Sequence, residues 1–139
     1  MKHVYRPGLV LHLDTGELVR MGASCTDSSG TAVQGSHFFL CIEIDAKEGK
    51  WTPTFSDPGI GRKMIESDQK NGHQKWTAGN TYYNPLQLWQ ASHKTIQSAA
   101  KVGKDQSRGD APNVVSNQAI PSRAEFPEFP AAGAGGSGA

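Results

Sequence analysis

Six side chains in the middle of this sequence have the chemistry of proton transfer and anion binding: His37, Thr54, Ser56, Arg62, His73 and Lys75. An imidazole changes charge near neutral pH, so His37 and His73 are candidates for a general acid or base. Arg62 and Lys75 can balance developing negative charge, and the Thr54 or Ser56 hydroxyl can hydrogen-bond a phosphate oxygen. Together they are groups that cleavage of a phosphodiester without a metal would use. Each alone is also an ordinary solvated residue, His73 above all, because it follows the Asn71-Gly72 turn. Trp76, next to Lys75, offers an aromatic face on which an unpaired base can stack.

Other groupings carry less. His37 and Cys41 are four residues apart, and on a strand that separation is about 13 Å. That is too far for a thiolate–imidazole pair or a shared zinc. Cys25 and Cys41 have neither the spacing of a metal pair nor that of a disulfide framework, so both are expected as reduced thiols. Asp14-Thr15-Gly16 has the letters of an aspartic-protease signature, but Glu17-Leu18 do not continue it. No metal and no cofactor is expected.

The frame for these residues is the apolar run from Gly35 to Asp45, read as a central strand. Its even positions Phe38, Leu40, Ile42 and Ile44 make one apolar face for the core, and its odd positions make a half-polar face that can border a cleft. Before it, Leu9–Asp14 and Glu17–Met21 read as a hairpin turned at Thr15-Gly16, and Gly22 to Gln34 as a long polar loop. After it come a short strand with an edge-type proline at Trp51–Ser56, β-prone runs at 74–77 and 81–83, and a turn at Asn71-Gly72. Asn84-Pro85 starts a helix whose stripe Leu86, Trp89, His93, Ile96 and Ala100 runs to Gly103. The fold class expected is mainly β with a C-terminal helix, five to seven short strands spaced as in a small barrel or sandwich over residues 1–103. Residues 104–139, polar and then rich in Pro, Gly and Ala, are expected to be a disordered tail.

Several of these segments resemble the PemK/MazF family of toxin ribonucleases: Pro7-Gly8 opening the first strand, the hydrophobic strand 38–44, Thr52-Pro53-Thr54-Phe55-Ser56, and the Tyr82-Tyr83 strand. The resemblance covers roughly residues 5–100. It implies a small SH3-like barrel, a homodimer, metal-independent cleavage of single-stranded RNA, and an acidic antitoxin as partner. In that family an arginine just before the central strand works with a Thr or Ser at the end of the next. Here Ser36-His37-Phe38 stands in that place, with no arginine. Either His37 takes the acid/base role, Arg62 reaches the site from elsewhere, or the barrel has lost the activity. The resulting expectation is a toxin-like endoribonuclease with His37, Arg62, Thr54 and Ser56 in catalysis and Lys75, Trp76 and His73 on RNA. The alternative is a non-catalytic barrel that binds a protein or nucleic acid.

Charge is compatible with a polyanionic partner. From Lys47 to Lys104 nine lysines and arginines face four acids, a local net of about +5 in a chain whose formal charge is +1. No run of about eighteen apolar residues and no apolar N-terminal segment occurs, so a cytoplasmic protein without a membrane span is expected.

Overall fold

The computed structural model describes residues 5–27, 33–103 and 111–129. Nine strands make one sheet: β1 (Leu9–Asp14), β2 (Ser24–Cys25), β3 (Ser36–Ile44), β4 (Glu48–Phe55), β5 (Lys63–Ile65), β6 (Lys70–Asn71), β7 (Thr81–Tyr83), β8 (Trp89–Ser92) and β9 (Asn113–Val115). Among the described residues three α-helices accompany it, α1 (Thr15–Arg20), α2 (Gln74–Thr77) and α3 (His93–Val102). All pairings are antiparallel, in the order β2-β8-β4-β3-β1-β9-β6, with β7 on the far half of β4 and β5 on β7. The protein is therefore mainly β, as expected, and the sheet is not closed. Among the described residues no helix is long and apolar enough to cross a membrane.

The expected central strand is central, but both of its faces are buried. Leu40 and Ile42 face a core with Val10, Ile65, Trp76, Tyr83, Leu88, Val115 and Phe126. Phe39 and Cys41 face another, with Leu9, Leu11, Leu13, Leu18, Trp51, Trp89 and Ile96. The half-polar face expected at odd positions is thus confined to the strand's ends, because α1 and α3 cover its middle. A bulge between Cys41 and Glu43 breaks the register with β4 and turns Glu43 outward.

Four other expectations are corrected. No second strand follows Thr15-Gly16: the Asp14 carboxylate accepts the Glu17 N–H at 2.9 Å and caps α1, and Leu18 is fully buried. The long loop contains β2, which pairs with β8. The 74–77 run is α2, capped by His73, whose ring nitrogen accepts the Lys75 N–H. The helix placed at 84–103 begins only at His93. Asn84 caps a turn, accepting the Leu86 N–H, and Trp89–Ser92 add to β4 as β8. Trp89 is core as expected, but from a strand, and Leu86 is exposed. Ser92 is the true helix cap.

The largest correction concerns the expected tail. Residues 111–129 pack on the sheet: β9 sits between β1 and β6, Val115 and Phe126 are buried, and the Tyr83 hydroxyl donates to Glu125 at 2.6 Å. Gly72 makes room for this, since a Cβ there would collide with Asn113. Residues 104–110 and 130–139 lie outside the described residues.

β4 is longer than expected and serves two neighbours on one edge. Its first half pairs with β8 (Glu48↔Ser92 to Trp51↔Trp89) and its end with β7 (Thr54↔Tyr83, Phe55↔Tyr82). Pro53, which has no N–H to donate, falls at the gap between them, as a proline inside a sheet must. Splitting the edge this way places β7 rather than β8 beside the end of β4, and a cleft lies at that end.

Candidate functional site

That cleft, about 290 Å³ in volume, is where most of the expected site residues meet. β1 contributes His12, the start of β3 contributes Ser36 and His37, the end of β4 contributes Thr54 to Asp57, and α2 contributes Lys75 and Trp76. The register explains the convergence. His12 pairs with Phe38 and Leu13 with His37, while Phe39 pairs with Pro53, so the first residues of β3 lie beside the last of β4. The His37 and Phe55 rings accordingly meet edge to face, with centroids 5.5 Å apart.

His37 is half-buried at the rim and held at both nitrogens. Nδ1 lies 3.2 Å from the Thr54 carbonyl oxygen and Nε2 3.0 Å from that of Gln34. Both neighbours are acceptors, so a neutral ring can donate to one of them and an imidazolium to both. The His12 ring, also at the lining, stands edge-on to Phe38, with centroids 4.9 Å apart. Ser56 and Lys75 are exposed at the lining.

Two residues brought to the cleft are walls rather than ligands. Thr54 is buried and donates its hydroxyl proton to the Phe38 carbonyl at 2.8 Å. Trp76 is only 2 % exposed, tilted against Phe38 and donating its indole N–H to the Val114 carbonyl at 3.1 Å. Its ring is not open to a base, contrary to expectation. Trp51 and Tyr83, other aromatics near cations, are buried as well.

Two expected residues stay outside the lining. His73 caps α2 and donates its backbone N–H to Asn113. Arg62 lies just beyond the rim, its guanidinium 3.6 Å from the Phe55 ring centroid and bonded to Asp57. Behind the wall lies Lys70, 4 % exposed, donating to the Trp76 carbonyl and the Thr81 hydroxyl at 2.7 Å each. With no carboxylate bonded to it among the described residues, burial lowers its pKa to about 8.

The residue that sequence reading missed is His12. The signal was present: in Leu9-Val10-Leu11-His12-Leu13, a strand apolar on both faces, one imidazole interrupts the face that Val10 begins. Cys25 and Cys41 are both free, and burial pushes the Cys41 thiol up to about 12, which makes it an inert core residue. Among the described residues no group of three His, Cys, Asp or Glu side chains is placed to hold a metal ion.

No protein-family model matches this chain, and no curated protein or solved structure matches it.

Proposed function

We propose that the cleft binds single-stranded RNA and cleaves it by metal-independent transesterification. One observation carries the reading: two imidazoles, a lysine and a serine, from four separate segments of the chain, line the same cleft. Those are the parts the reaction requires. His12 takes the proton of the ribose 2′-hydroxyl, and that oxygen forms a bond to phosphorus. His37, as imidazolium, gives its proton to the departing 5′-oxygen as the P–O5′ bond breaks. The products are a 2′,3′-cyclic phosphate and a free 5′-hydroxyl. Lys75 balances charge on the non-bridging oxygens, and Ser56 hydrogen-bonds one of them.

This reading agrees with the resemblance to the PemK/MazF toxins, with His37 in the place of the family arginine and the split sheet as an open variant of their SH3-like barrel. An acidic antitoxin and a homodimer belong to the same proposal. A second reading, a non-catalytic RNA- or protein-binding module, is favoured by the engagement of both His37 nitrogens with main-chain carbonyls.

The deciding assay is cleavage of a long single-stranded RNA by purified protein in the presence of chelator. His12→Ala and His37→Ala should each lower the rate about 10²- to 10⁴-fold, as loss of a general acid or base does, with melting temperature little changed. If wild type does not cut, or both variants cut as it does, the binding-module reading replaces the catalytic one.

A further inference from the structure

Arg62 is held more firmly than a surface arginine needs to be. Phe55 lies under its guanidinium, with Cζ 3.6 Å from the ring centroid. Nη1 donates to both the backbone carbonyl and the carboxylate of Asp57, at 3.1 and 3.0 Å. Gly59, at φ +54°, packs so close that a Cβ there would come within 2.9 Å of Cδ and Nε. The group is clamped by ring, carbonyl, carboxylate and loop. Yet the Nε–Nη2 edge has no partner among the described residues. That edge is a planar two-donor fork matched to two oxygens of one phosphate.

Its position fits the cleft. Phe55 contacts both Arg62 and His37, at 3.6 and 5.5 Å, so the guanidinium carbon is at most about 9 Å from the His37 ring. This is comparable with the spacing of successive phosphates along an extended strand. Asp57 does not cancel the charge, since its side chain is 73 % exposed and such a pair is weak in water.

Resting on the RNA reading above, we infer that Arg62 is a second phosphate subsite, so that the site takes an RNA chain engaged over at least two successive phosphates. The clamp fixes the fork before the strand arrives, which removes the ordering cost that a free arginine would carry on binding. Arg62 is thus a binding residue next to the reacting phosphate, and the chemistry stays with the histidines.

The test is fluorescence anisotropy with a labelled 2′-O-methyl RNA dodecamer, which cannot be cleaved, titrated at several salt concentrations. Arg62→Gln should weaken binding about tenfold and reduce the salt slope by about 0.7, the value for one phosphate of a single strand. Arg62→Lys, which keeps the charge and the aliphatic stem on Phe55, should keep the slope but lose affinity several-fold, because an ammonium cannot span two oxygens. It also carries the test if Arg62→Gln melts early. A dinucleoside monophosphate, with one phosphate, should compete equally well in all three proteins. If wild type binds and both variants match it in affinity and slope, the second subsite is refuted and the cleft reading stands. If wild type binds no RNA, both fall together.

Discussion

Removing the segment that packs after α3 tests the architecture most directly, and Phe126 is its anchor. Its side chain is 5 % exposed, with its ring centroid 5.9 Å from that of Tyr83, in the core that also holds Leu40 and Ile42. Truncating such a residue removes its transfer energy and leaves a cavity, so Phe126→Ala should cost about 3 to 5 kcal/mol. Ending the chain after Gly103 removes more. Val115 is lost from the core, worth about 1.5 to 3 kcal/mol. The Trp76 indole N–H loses the Val114 carbonyl, an unmade buried bond costing about 1 to 3 kcal/mol. The β1 edge beside Leu9 and Val10 loses its neighbour. Ordering entropy recovered from the deleted residues, about 1 to 2 kcal/mol each, offsets part of the truncation but none of the point substitution. Against a typical stability of about 5 to 15 kcal/mol, either change should be plain in urea unfolding followed by tryptophan fluorescence. A midpoint that corresponds to less than about 1 kcal/mol for Phe126→Ala would show that residues 111–129 do not belong to the fold.

Three further outcomes follow from the geometry. Asp14→Ala removes the α1 cap and should cost about 0.5 to 2 kcal/mol, whereas Asp14→Asn should cost much less, by thermal melting. Phe39→Ala should destabilise by about 3 to 5 kcal/mol while Glu43→Ala, at the bulge, should stay within about 0.5 kcal/mol; the opposite ranking in denaturant would put β3 in the wrong register. Lys70 binds fewer protons folded than unfolded between its lowered pKa of about 8 and its ordinary 10.5, so its contribution to stability rises with pH across that window. Lys70→Met should abolish this rise. Cys41 and Tyr83, both raised chiefly by burial, act oppositely at higher pH but equally in the two proteins, so the difference between their stability curves isolates Lys70.

What the sequence revealed of the fold is what period and local chemistry encode. A run as apolar as 38–44 had to be a strand at the centre, and the β-prone Thr81–Tyr83 had to be extended. The errors have one common source, which is that tertiary partners decided between local alternatives. Trp89, Ile96 and Ala100 fit a helical stripe, but Trp89 and Ala91 also alternate, and the open edge of β4 recruited them as a strand. Asp14-Thr15-Gly16 served a hairpin turn as well as a helix cap until Gly35 supplied its carbonyl to Thr15 and Leu18 found the core. The 111–129 segment lacks apolar density of its own, because its buried Val115 and Phe126 enter a core that the rest of the chain had already built.

The site shows the same division between kind and place. Residue type alone singled out His37, Thr54, Ser56, Arg62, His73 and Lys75, and four of these line one cleft while Arg62 and His73 lie outside it. Nothing local could say so, because their proximity depends on topology: the β3–β4 register sets the start of β3 beside the end of β4. The same topology explains which candidates failed. Trp76 and Thr54 carry suitable groups, but each stands where the wall must be closed, and their polar atoms are spent on Val114 and Phe38. His12 was overlooked because a histidine within a leucine-rich strand reads as packing. It pairs across the ladder with Phe38, whereas His37 pairs with Leu13, so the two imidazoles leave the sheet on opposite faces and only the cleft at the end of β3 brings both to one lining.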